Sequence, residues 1–221
     1  MKIGRLHVLT DAEIQTRFDH VEIAERAIRG GADAIQYRRK TGSTRETIRE
    51  ARAIRSLCRR AGIPLIVNDR VDVALAADAD GVHLGRDDFP IEKAREILGP
   101  HRILGGSAGT VDEARAGQRE GADYLGVGPV YATRTKPDAG PAAGIDLVAQ
   151  VATELTIPIL GIGGIDAGNL APVLEAGAFG VAIVSAICCD PDPEEATRRV
   201  QAAIAAALAA SAGRHGPTEG R

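Results

Sequence analysis

One unit recurs along this chain and restricts the folds open to it. An alanine-rich helical stretch gives way to Gly-Ala-Asp or a variant, and then to a short apolar run. The unit appears as Arg29-Gly-Gly-Ala-Asp-Ala-Ile-Gln36, Ala77-Asp-Ala-Asp-Gly-Val-His-Leu84, Glu120-Gly-Ala-Asp-Tyr-Leu-Gly126 and Glu175-Ala-Gly-Ala-Phe-Gly-Val181. Glycine ends each helix, and small residues turn the chain into the strand. The apolar runs are continuous rather than alternating, as in parallel strands buried on both faces. Extended over the chain, the pattern predicts strands at roughly 6–10, 33–37, 64–67, 81–84, 102–106, 123–127, 158–162 and 180–184. Helical patterns follow near 20–30, 44–61, 70–77, 90–98, 110–120, 145–155, 167–176 and 193–209. Eight such units without a break in composition predict a single (β/α)8 TIM barrel with parallel strands over residues 1–208. Residues 209–221 are small and polar and read as a disordered tail.

Aromatic residues make up 3% of the 221 and there is no Trp, so the core has to be built from Ala, Val, Ile and Leu. The formal net charge of -3 argues against a nucleic-acid partner. The basic run Arg49 to Arg60 reads as the solvated face of an amphipathic helix. The three cysteines, Cys58, Cys188 and Cys189, have no metal spacing and read as reduced thiols of a cytoplasmic protein, with Cys58 in the core. No apolar run has the length of a membrane span, and nothing reads as an export signal. Oligomeric state leaves no mark in the sequence.

A barrel of this kind carries its site where the strands meet the following loops. Residues with no place in a core collect there. On the second strand a period of two puts Gln36, Arg38 and Lys40 on one face. An amide, a guanidinium and an ammonium can together hold a diphosphate. Only four of the 27 basic residues are lysines, yet Lys40 and Lys136 both fall at strand ends. The third strand ends in Asn68, a phosphate donor, and Asp69, a hard oxygen ligand. Beyond the fourth lies a second carboxylate, Asp87 or Asp88, and two carboxylates facing a basic cluster fit a magnesium ion shared with phosphate oxygens. Asp88, before Phe89-Pro90, also has the character of a helix N-cap. His83, within an apolar strand, reads as a core residue. Ser107 follows the fifth strand and Thr110 reads as an N-cap. Thr133, Thr135 and Lys136 follow the sixth, the glycines of Gly161-Ile-Gly-Gly164 the seventh, and Ser185 the eighth. Paired glycines let backbone N–H groups approach a phosphate. With no Ser/His/Asp or Cys/His arrangement at the strand ends and no mid-strand lysine, the chemistry points to electrostatic stabilisation of a leaving group rather than a covalent intermediate.

These segments resemble the thiamine-phosphate synthase (thiamine-phosphate pyrophosphorylase) family. The resemblance rests on Gln36-Tyr-Arg-Arg-Lys-Thr41, Asn68-Asp69, Gly81-Val-His-Leu-Gly85 with Asp87-Asp88, Gly105-Gly-Ser107, the segment Asp123 to Asp138, Gly161-Ile-Gly-Gly-Ile165 and Val184-Ser-Ala-Ile187. It implies a transferase that joins 4-amino-2-methylpyrimidin-5-ylmethyl diphosphate to a thiazole ethyl phosphate, or its carboxylated form, giving thiamine phosphate and pyrophosphate. It implies that Gln36, Tyr37, Arg38, Arg39, Lys40, Asn68, Ser107 and Lys136 hold the diphosphate substrate. Arg38, Lys40, Ser107 and Lys136 would be catalytic. Asp69 and Asp88 would bind one Mg2+ per subunit, and Thr133, Arg134, Thr135, Gly164, Val184 and Ser185 would hold the thiazole phosphate.

Three positions depart from the commoner family pattern. Arg39 stands where an acidic residue is frequent, although the alternation turns it from the ligand face. Arg86 replaces a common Gln, and Gly109 a common His. That His is associated with the thiazole tautomerase paralogue, the rival within the fold, and a glycine cannot move protons. A non-catalytic regulator on the same scaffold would not need leaving-group stabilisation.

Overall fold

The eight apolar runs form β1 (Leu6–Thr10), β2 (Ala34–Tyr37), β3 (Leu65–Asn68), β4 (Gly81–Leu84), β5 (Ile103–Ala108), β6 (Tyr124–Val127), β7 (Ile159–Ile162) and β8 (Gly180–Ile183). In the computed structural model, which describes residues 3–135 and 140–214, all neighbours pair in parallel and β8 returns to β1 to close the barrel. The (β/α)8 expectation is borne out.

Around it stand α1 (His20–Arg29), α2 (Thr44–Ala61), α3 (Val71–Ala76), α4 (Ile91–Leu98), α5 (Val111–Arg119), α6 (Gly144–Glu154), α7 (Ala171–Glu175), α8 (Ser185–Cys188) and α9 (Pro193–Arg214). Capping boxes fix the starts of α1 and α2, with Asp19 and Glu22 in one and Ser43 and Glu46 in the other. Thr110 caps α5, its hydroxyl accepting from the Glu113 N–H at 3.2 Å. The short α8 is not predicted. The last helix runs to Arg214, past the expected tail boundary at 209, and residues 215–221 lie outside the described part of the chain.

Two apolar layers follow from the strand pleat. Leu9, Ile66, Ile103, Tyr124, Leu160 and Ala182 fill the inside of the barrel. Alternate residues such as Val8, Ile35, Leu65 and Val82 face outward against the helices, where Ile54 and Cys58 are fully buried. Each fully buried aliphatic side chain contributes roughly 1.5–3 kcal/mol. On the basic face of α2, Arg52 donates to Ala76 O and Arg55 to Asp78 O, so these two arginines brace the end of α3 rather than only meeting solvent. Among the described residues no helix is long and apolar enough to cross a membrane.

The recurrent Asp acts as a clamp. Asp33 Oδ2 accepts from Leu6 N at 2.8 Å, Asp80 Oδ2 from Leu65 N at 2.8 Å, and Asp123 Oδ2 from Leu104 N at 2.8 Å. Each of these aspartates also donates its own N–H to the carbonyl of the same residue. The first turn of an even strand thus brackets the start of the odd strand before it, and the unit repeats around the barrel. In the fourth unit Phe179 keeps only the backbone half, donating to Ile159 O at 2.9 Å.

Candidate active site

The carboxyl ends of the strands open on a pocket reached by Gln36, Arg38 and Lys40 from the β2 side, as the alternation requires. Tyr37 and Arg39 point the other way. The Tyr37 hydroxyl donates to Glu50 at 2.7 Å, and the Arg39 guanidinium pairs with Glu50 at 2.8 Å and Glu46 at 3.3 Å. Both side chains are held against α2 and neither lines the pocket, unlike those of the other expected diphosphate-binding residues of β2 and its loop.

The loop after β1 supports the two cations. Buried Asp11 pairs with Arg38 and accepts from Glu13 N at 2.9 Å. Glu13 accepts from Lys40 N at 3.1 Å and from both the amide and the hydroxyl of Thr41. Desolvation works against the Glu13 carboxylate, but these donors outweigh it and lower its pKa. Neither acid is singled out by the sequence, because β1 carries no motif. The usable signal is that two acids directly follow an apolar strand.

Asp69 takes a left-handed backbone conformation, φ 65°, uncommon for a residue with a side chain. Its N–H is tied to His83 O at 2.8 Å, and its carboxylate meets Lys40 Nζ at 2.5 Å. The Asp88 carboxyl accepts from Gly85 N at 2.7 Å. It therefore closes a turn, and Pro90, not Asp88, occupies the N-cap of α4. Partial burial, and then the Asp69 carboxyl against it, push its pKa up. Two acids crowded in this way offer oxygen donors of the kind a hard cation takes, and in their present arrangement the Lys40 ammonium occupies one of those oxygens. No group of three or more His, Cys, Asp or Glu residues gathers as a metal site among the described residues.

Ser107 and Asn68 line the pocket between these groups and the loop after β6. In that loop a cis peptide bond joins Gly128 to Pro129. The loop is held to the one after β7, with Val130 N donating to Ile162 O at 2.8 Å and Tyr131 N to Gly163 O at 3.0 Å. Thr133 and Thr135 line the pocket, whereas Arg134 is exposed beside them and does not. Lys136 lies outside the described residues.

Gly163 and Gly164 have positive φ, 98° and 65°. A Cβ on Gly164 would stand 2.6 Å from Ala132 O, so the glycine pair seats the β6 loop as well as exposing backbone. Gly164, Val184 and Ser185 form the far wall.

The family model for thiamine monophosphate synthase matches residues 6–187. A thiamine-phosphate synthase of Chloroflexus aurantiacus is 51% identical over 200 residues, covering 90% of this chain and 92% of that one. The chain belongs to the thiamine monophosphate synthase family. A Roseiflexus thiamine-phosphate synthase is 49% identical over 205 residues, 93% of this chain and 87% of its own. The solved thiamine phosphate pyrophosphorylase of Pyrococcus furiosus superposes with a TM-score of 0.85 at 39% identity, covering 92% of this chain and 96% of that one.

Two of the departures from the commoner family pattern meet in space. Arg86 pairs with Glu113 at 3.2 Å, and Glu113 also accepts from Gly109 N at 2.6 Å. A Cβ on Gly109 would find ordinary contacts only, 3.5 Å from both Arg86 and Glu113. A Cβ is therefore tolerated there, and the Arg86–Glu113 pair borders it.

Proposed function

We propose that this chain is a thiamine-phosphate synthase, condensing 4-amino-2-methylpyrimidin-5-ylmethyl diphosphate with thiazole ethyl phosphate, or its carboxylated form. The bond from the pyrimidine methylene carbon to the diphosphate oxygen breaks and its electron pair leaves with pyrophosphate. The thiazole nitrogen then supplies the pair for the new carbon–nitrogen bond. No proton has to be removed to form that bond, so the reaction asks for no general base.

The observation that carries this reading is the gathering of Gln36, Arg38, Lys40, Asn68 and Ser107 on one side of a pocket whose other side offers hydroxyls and backbone. Arg38 and Lys40 neutralise charge growing on the departing diphosphate, and a preorganised cation in a partly dehydrated site favours that charge more than mobile water does. Lys136 joins them in this reading. Asp69 and Asp88 would hold the magnesium ion, which when bound adds positive charge shared with the diphosphate oxygens. Thr133, Thr135, Gly164, Val184 and Ser185 hold the thiazole phosphate, where backbone donors with few cations suffice for a monophosphate that does not leave.

Pyrophosphate release measured with each substrate alone and with both tests the reading. Release is expected only with both, and only with magnesium after chelation. Asp69→Ala is expected to lower kcat by about 10²-fold or more, on the scale of losing one strong electrostatic stabiliser. Release from the pyrimidine substrate alone at the full rate would overturn the condensation, and undiminished activity in chelator would overturn the metal assignment.

A further inference from the structure

Behind Ser107 a polar column runs from the pocket wall, where His83 also stands, into the barrel interior, and of it the proposed reaction uses only the Ser107 hydroxyl. His83 Nε2 lies 3.0 Å from Ser107 Oγ, and its Nδ1 lies 3.1 Å from the Tyr124 hydroxyl. Tyr124 is fully buried and packs its ring against His7 at 5.2 Å and His83 at 5.5 Å between centroids. The column has its own space. A Cβ on Gly105 would stand 2.3 Å from the Tyr124 ring and 2.6 Å from His83 Nδ1, and one on Gly126 would stand 3.2 Å from the His83 ring. Two inward glycines on adjacent strands are thus what admits these rings to a position directly under Ser107.

We infer that His83 is a positioning residue that turns the Ser107 O–H into the pocket, with Tyr124 fixing its tautomer. A serine hydroxyl has one hydrogen to donate. If Ser107 gave it to the imidazole, only lone pairs would face the ligand, and lone pairs repel an anion. If the imidazole donates from Nε2, Ser107 accepts and its hydrogen is free to point at a phosphate oxygen. The Nε2–H tautomer needs an acceptor at Nδ1 that is satisfied by a donor. Tyr124 supplies one, since burial pushes its pKa up and keeps the phenol protonated. Donation then runs one way, from the Tyr124 hydroxyl to His83 Nδ1, from His83 Nε2–H to Ser107 Oγ, and from the Ser107 hydroxyl to the ligand. The second-layer partner of a donor sets its direction.

The inference takes from the proposed function only that Ser107 meets the diphosphate, and its first test needs no substrate. In 15N-histidine NMR spectra of the free protein His83 is expected as the Nε2–H tautomer, with the mixture shifting in Tyr124→Phe. A stable Nδ1–H tautomer would overturn the inference whatever the enzyme catalyses.

Kinetics supply the second test. The amide nitrogen of Gln can stand where Nε2 stands, whereas that of Asn stands where Nδ1 stands. His83→Gln is therefore expected to keep kcat/KM for the pyrimidine diphosphate within about threefold, and His83→Asn to lose about tenfold or more, the scale of one directed hydrogen bond. The KM for the thiazole phosphate should not move in either. On a Ser107→Ala background His83→Asn should cost nothing further, because the two act as one unit. Equal losses in His83→Gln and His83→Asn, or losses that multiply with Ser107→Ala, would refute the relay. Should His83→Asn fail to fold, Tyr124→Phe decides, since it removes one oxygen from a ring that stays packed. Wild-type kcat/KM in that variant would refute it equally.

Discussion

At the residue scale the site depends on acids that never touch a substrate in the proposed reading. Asp11 is buried under Arg38 and holds the guanidinium while two backbone N–H groups hold its carboxylate. Replacing it by Asn keeps the shape and removes the charge. The expected result is a rise of about tenfold in KM for the pyrimidine diphosphate with the thiazole KM little changed, measured by steady-state kinetics, because a cation that loses its buried partner loses its fixed orientation. Equal kinetics for Asp11→Asn and wild type would mean that Arg38 is oriented by the pocket alone. The contrast between Arg38 and Asp11 also marks what a sequence discloses. Gln36, Arg38 and Lys40 are legible because strand periodicity is local. Asp11 and Glu13 are not, since their meaning comes from pairing across β1 and β2. His83 reads as core, and it is buried, but only the register of Asn68 with His83 and of His83 with Gly105 brings its ring beneath Ser107.

At the element scale the Gly-Ala-Asp unit is legible as a helix-to-strand turn, while its clamp on the preceding strand is not. Asp80 serves Leu65 N and also pairs with Arg55 at 3.1 Å. Asp80→Ala leaves a partly buried amide without its acceptor and is expected to cost about 1–3 kcal/mol in urea unfolding. A loss below a few tenths would mean that water replaces the carboxylate. The strands are legible to within two residues because buried parallel strands are unbroken apolar runs between helix-ending glycines. The misplaced helices have local reasons. The four residues of α8 continue the β8 pattern without a break, and α7 starts at Ala171, not near 167, because Asp166 first closes a turn onto Gly168 N at 2.7 Å. Tyr37 and Arg39 show the opposite case, in which family resemblance groups neighbours that the pleat separates.

At the scale of the whole molecule, closing the barrel seals one imidazole inside. His7 is 1% exposed, neither ring nitrogen has a hydrogen-bond partner among the described residues, and desolvation, helped by the nearby His83, lowers its pKa from 6.5 to about 3. Burial also lowers that of His20. The unfolded chain therefore takes up protons below pH 6.5 that the folded chain refuses. For His7 stability should be full above that pH and fall on acidification toward 3, by up to about 1.4 kcal/mol per pH unit, with His20 acting in the same direction. Urea midpoints at pH 7, 6 and 5 measure this, and His7→Leu should flatten the decline; a wild-type midpoint that does not move would refute it. A different consequence follows from where the barrel puts its few aromatic rings. The chain has three tyrosines and no Trp. Tyr124 lies under Ser107, Tyr131 anchors the β6 loop through its hydroxyl on Asn169 O at 3.0 Å, and Tyr37 ends β2 with its hydroxyl turned to Glu50 of α2. Two of the three tyrosines thus adjoin the pocket or its loop, so an unlabelled sample in a stopped-flow fluorimeter reports on substrate arrival with no tryptophan emission over it.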